Sequence, residues 1–178
     1  TISEKSMRPM CSLIARASGE DPIGTISSYR RYLAVEIPLP WASDIQASPR
    51  FPSALRKVLH CYAERGGDVR FQGLAPDPDY SRPGFTRVIV LRRPATAGAG
   101  FASAAYEAPV EDLSSLVEQL LDAPDDAYLN GRFRIESPGR DLLVCTHGAK
   151  DACCATFGIP SFRSLRYDLA PRAAEPPR

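Results

Sequence analysis

The chain has 178 residues, 44% hydrophobic and 24% charged, proportions of a globular chain of one domain or two small ones and not of a disordered or fibrous one. A chain of this length buries roughly 68–70% of its unfolded surface, so a core is attainable without cross-links. A net charge of +1 with scattered basic residues gives no support to nucleic acid or an anionic membrane as partner. No apolar run approaches the roughly 20 residues of a membrane span, and Thr1-Ile2-Ser3-Glu4-Lys5 lacks the apolar stretch of a signal peptide, so a cytoplasmic chain is expected.

In chain order, Met10 to Ala15 starts a short helix, and Ser18 to Thr25 is turn-rich. Tyr32 to Ile37 predicts a buried strand stopped by Pro38 and Pro40, with Trp41 expected in the core. Pro52 suits a first helical turn, and Leu55, Val58, Leu59 and Tyr62 form one apolar stripe ended by Gly66-Gly67. Asp68 to Leu74 and Thr86 to Leu91 predict strands on either side of a Pro- and Asp-rich loop. After a Gly/Ala loop at 95–100, Phe101 to Tyr106 reads as an edge strand. Asp112 is placed to cap a helix carrying Leu113, Leu116, Val117, Leu120 and Leu121. A polar linker with a short strand at 132–135 follows, then a strand over Asp141 to Cys145. Cys154 to Arg166 is helical in pattern, with Gly158 and Pro160 as interruptions, and residues 167–178 read as a disordered Pro-rich tail. Alternating strands and helices predict an α/β fold, with α+β as the variant, built on a mixed sheet with flanking helices. The expected division is an N-terminal α/β domain over 1–135 and the start of a second, incomplete β-loop-α unit over 136–166.

Three of the five cysteines and one of the two histidines fall in Cys145-Thr146-His147-Gly148-Ala149-Lys150-Asp151-Ala152-Cys153-Cys154. Thiolate sulfur and imidazole suit zinc, copper(I) and iron–sulfur clusters. Spacing alone leaves three readings open: metal ligands, small buried thiols beside a tight loop, or a reactive cysteine at a helix N-terminus. Asp151 is either a solvated partner of Lys150 or a cap on the next helix. His60 and Cys61 diverge from the apolar stripe of their helix and read as surface, and Cys11 reads as a small packed residue. Nucleotide-binding, zinc-protease and serine-hydrolase motifs are missing, and no carboxylate pair of glycosidase type is evident.

Val144-Cys145-Thr146-His147-Gly148-Ala149-Lys150-Asp151-Ala152-Cys153-Cys154-Ala155 resembles the signature loop of the sucrase/ferredoxin-like family. Cys11-Ser12, Gly19-Glu20-Asp21-Pro22-Ile23-Gly24-Thr25 and Leu33 to Trp41 resemble that family's opening segment, in the same order. The resemblance implies thioredoxin-like features and an electron-transfer protein with a [2Fe–2S] cluster. Cys145 and Cys154 stand at the matching cysteine positions, and two histidines are implied from a later His-x-x-x-His segment. No histidine follows His147 here, so the sequence reads as C-terminally shortened relative to the family pattern. Cys153 and His147 are then candidate substitute metal ligands, with a redox partner protein or a larger assembly as the expected company. The alternative is a cluster-less accessory or structural subunit that keeps the family fold.

Overall fold

In the computed structural model, residues 10–21, 29–93, 101–124, 131–136 and 141–173 are described, side chains as far as 168. The elements are α1 (Cys11–Ala17), β1 (Arg31–Glu36), α2 (Ser53–Glu64), β2 (Val69–Leu74), β3 (Phe85–Arg92), β4 (Ala102–Pro109), α3 (Leu113–Asp122), β5 (Arg134–Ile135) and α4 (Ile159–Ala173). The chain divides into two compact units. One comprises Thr1–Ile26, Trp41–Asp44 and Asp141–Arg178, the other Ser27–Pro40 and Ile45–Arg140. The N-terminal segment, expected to belong with residues 1–135, thus groups with the C-terminal one.

The larger unit is a five-stranded mixed sheet in the order β2-β1-β3-β4-β5. β1 and β2 are parallel, joined through α2, and the remaining pairs are antiparallel. A mixed sheet with flanking helices is the α/β architecture expected. From β1 to α3 the order is β-α-β-β-β-α, and this unit lies in residues 31–122, not in the C-terminal part where thioredoxin-like features were expected. Register explains which residues face the core. Leu33 lies opposite Val90 and Val35 opposite Val88, while Val90 and Val88 lie opposite Ala104 and Tyr106, and all six are buried. Fully burying a side chain of the Val or Leu type contributes about 1.5–3 kcal/mol, so this face carries much of the unit's stability. The alternate face holds the smaller cluster Ala34, Ile89 and Ala105.

Two arginines bind α3 to the first face. Arg31 and Arg92 are register partners on β1 and β3. Arg92, only 2% exposed, donates to Pro124 O at 2.9 Å and Leu120 O at 3.3 Å. Arg31 donates to Leu121 O and, at 2.9 Å, to Ala123 O. A helix ends with unsatisfied carbonyls and partial negative charge, and the two guanidinium groups supply donors and positive charge there. The apolar residues of α3 expected in the core, Leu113, Leu116, Val117, Leu120 and Leu121, are all buried. Asp112 stands at its N-cap position, yet its side chain makes no capping bond, because the chain enters through a 3₁₀ turn at Val110–Asp112.

Four expectations change. Phe101 to Tyr106 contributes to β4, which lies between β3 and β5 and is not an edge. Small residues Ala104, Ala105 and Ala108 are buried there, a packing advantage that strand propensity undervalues. Asp141 to Cys145 forms no strand: residues 141–147 make no ladder, and Leu142 and Leu143 remain 62% and 45% exposed. Helix continues through 167–173, part of the expected tail, while 174–178 lie outside the described residues. Gly158 and Pro160 do not break the C-terminal helix. The segment Cys154–Gly158 takes a π-helical turn and leads directly into α4. Pro160 has no N–H to donate to the preceding turn, and the wider turn accommodates that loss. The loop expected at 95–100 and residues 22–25 of the turn-rich segment expected at 18–25 lie outside the described residues. Among the described residues no helix is long and apolar enough to cross a membrane.

Candidate metal centre

The smaller unit gathers four of the five cysteines into two pairs. Asp151 begins the C-terminal helix: its Oδ1 accepts from Cys153 N at 3.0 Å, a side-chain N-cap. The same oxygen accepts from Cys153 Sγ at 2.8 Å, and Oδ2 accepts from Cys11 Sγ at 2.8 Å. Cys11 Sγ and Cys153 Sγ are 3.2 Å apart. These three residues are the one group among the described residues whose donor atoms converge as metal ligands, all within 4.8 Å of one another.

The second pair is Cys145 and Cys154, with sulfurs 3.0 Å apart. Neighbouring helical residues point about 100° apart round the axis, since a turn takes 3.6 residues. Cys153 therefore faces Cys11 and Asp151, and Cys154 faces Cys145. Glycines let the loop lie this close to the helix. A Cβ at Gly158 would stand 1.9 Å from Cys145 O, and one at Gly148 would stand 2.6 Å from the Ala155 Cβ. The loop turns on itself through Gly148 N to Thr146 O at 2.9 Å and Asp151 N to His147 O at 3.1 Å.

Hydrogen bonding sets the protonation. The Asp151 carboxylate, with Cys153 sulfur behind it, pushes the Cys11 thiol up to about 12. The bond with Cys145, then burial, pushes Cys154 up to about 12 as well. Donation from Cys11 and then Cys153 holds Asp151 below the usual carboxylate value. The directions for Cys11 and Cys154 run opposite to those of a thiol activated as a nucleophile. A metal ion replaces the thiol proton, so these are strong ligands once deprotonated.

His147 is placed differently from a ligand. Its Nε2 lies 2.9 Å from Ala42 O, and its ring meets Trp41 edge-on at 5.3 Å. Trp41 is half-buried against that imidazole and is not a core residue. His60 is on the surface of α2, 3.2 Å from Glu64, and Cys61 is exposed beside it. Sequence reading missed Asp151 as a site residue, taking it for a solvated partner or a cap, and it missed Cys11. Its partner lies 142 positions away, a pairing no local pattern encodes. The one trace of it was the Cys11-Ser12 element within the family-like opening segment.

A [2Fe–2S] cluster, which the resemblance implies, requires two donors on each iron. Two sulfurs on one tetrahedral metal, with bonds of about 2.3 Å, stand roughly 3.8 Å apart. Cys145 and Cys154 fit one such position after a small opening. Neither His60 nor His147 is brought to this pair. Comparison with family models, curated proteins and solved structures gave no match. The class defined by fold and site is an α/β protein with a Cys–Asp group suited to metal.

Proposed function

We propose that this chain is an electron-transfer protein of the sucrase/ferredoxin-like type, in which Cys145 and Cys154 hold one iron of a [2Fe–2S] cluster. The observation that carries the reading is the Cys145–Cys154 pair, closed to 3.0 Å across a loop seated on Gly158. Bound there, the cluster would carry one electron. The chain's own part is to supply two thiolates and to keep their spacing. Such a carrier exchanges its electron with a redox partner protein or larger assembly, the company expected from the sequence. Anaerobic purification with visible absorption and EPR tests the reading. Brown protein whose colour is lost in Cys145→Ser and in Cys154→Ser is the expected result. Colourless, iron-free protein both alone and after cluster reconstitution would refute it.

A second reading, a cluster-less accessory subunit, is favoured by apolar side chains exposed in the same unit: Leu13, Ile14, Leu142, Leu143, Phe157 and Phe162. Exposed large apolar side chains, where they are contiguous, mark a surface that meets another protein. Under it, the chain stays colourless and Leu142→Glu reduces capture of a partner without affecting folding.

A further inference from the structure

We propose that Cys11, Asp151 and Cys153 form a second, mononuclear site for a borderline-soft divalent cation of the zinc type, separate from the Cys145–Cys154 pair. The donor set is two sulfurs and one carboxylate, the chemistry such an ion selects. The geometry is nearly in place. Sulfur–carboxylate distances are 2.8 Å on both sides and the sulfur–sulfur distance is 3.2 Å, which widens to roughly 3.8 Å on a shared ion. Three protein donors leave one tetrahedral position for water or a substrate atom.

Two further observations point the same way. Cys153 and Cys154 diverge round the helix, so the two pairs face different directions and do not form one four-sulfur cage. Among the described residues of the smaller unit Cys153 is the one buried hydrophobic residue, whereas those of the larger unit include the sheet core. Small units without a core are held by metals or cross-links. On binding, each thiol gives its proton to solvent and its sulfur lone pair to the ion, and Asp151 binds as the carboxylate it already is.

Titration of the reduced full chain with cobalt(II), a coloured substitute for zinc, tests the site. One equivalent is expected to give intense tetrahedral d–d bands with a sulfur-to-cobalt charge-transfer band, abolished by added zinc. Cys11→Ser, Cys153→Ser and Asp151→Asn should each weaken binding by at least roughly 10-fold, with far-UV circular dichroism unchanged. The double variant Cys145→Ser/Cys154→Ser should bind cobalt as the parent does. In the parent itself, zinc should slow alkylation of Cys11 below its rate in the metal-free chain and leave the rates at Cys145 and Cys154 unchanged, a readout independent of any variant's folding. A parent that gives no cobalt bands overturns the site. So do bands that survive Cys11→Ser and Cys153→Ser, bands lost in the Cys145/Cys154 double variant, or protection of Cys145 and Cys154 instead. Iron–sulfur colour is scored on separate, anaerobically purified protein, so either reading can fail alone.

Discussion

At the scale of single residues, the Asp151 carboxylate both starts a helix and gathers two thiols, and its protonation links them to pH. Its folded value lies below the ordinary 3.8, so its contribution to stability is present above that value and is lost as pH falls below it. Cys11 and Cys154 behave in the opposite sense. An unfolded thiol loses its proton near 9.0 and these near 12, so their contribution is full below 9.0 and disappears as pH rises towards 12. The denaturant midpoint of the metal-free chain is expected to fall across that alkaline window. Asp151→Asn should shrink the part due to Cys11, whose largest influence is the Asp151 bond. Alkylation gives a sharper reading, because the thiolate is the nucleophile. Three pH units suppress the thiolate by a factor on the order of a thousand, so iodoacetamide at neutral pH should label folded Cys11 and Cys154 far more slowly than the same cysteines in urea. Mass spectrometry of the labelled peptides resolves this, and equal rates in both states would contradict the hydrogen-bonded geometry.

Among the elements, the π-helical turn and the capped α3 are the two that depend on single side chains. Gly158→Ala forces a methyl into the carbonyl of Cys145 and should separate that cysteine from Cys154. Its expected signature is loss of the Cys145 pair's metal or colour while cobalt binding at Cys11 is kept. Arg92 is buried with two carbonyl partners, and hydrogen bonds to a charged group contribute about 1.5–3 kcal/mol. Arg92→Met is therefore expected to lower unfolding free energy in urea by about 2–4 kcal/mol, and a change below about 0.5 kcal/mol would show that the cap is dispensable. These elements also mark where sequence reading succeeds and fails. Periodicity locates α2, α3, β1 and β3 because local spacing and burial agree in them. It misplaces Leu142 and Leu143, whose apolar run reads as a strand although no neighbouring strand pairs with it. It treats Gly158 and Pro160 as breakers because the carbonyl that needs the glycine belongs to a residue thirteen positions back. Cys145 and Cys154 are legible as a pair within one loop. Cys11 is not, because nothing local ties it to Asp151.

For the whole molecule, the contrast between the two units predicts unequal responses to metal. A ligand present at 100 times its dissociation constant stabilises the state that binds it by about 2.7 kcal/mol. Zinc should raise the melting of the smaller unit and leave the sheet's transition in place, and Cys11→Ser should remove the shift; differential scanning calorimetry separates the two. A sheet transition that moves equally would mean that the units unfold as one. The separation between Cys11 and Cys153 also has a consequence in time. During synthesis α1 emerges before its partners, but at seven residues it is too short to hold a helix alone. Its sulfur and carboxylate partners follow some 140 positions later, after the five described strands have been made. At a typical 5–20 residues per second, the first helix waits on the order of ten seconds for the residues that fix it. The residues of the larger unit have by then all been made, and the joining of Cys11 to Asp151 and Cys153 follows them.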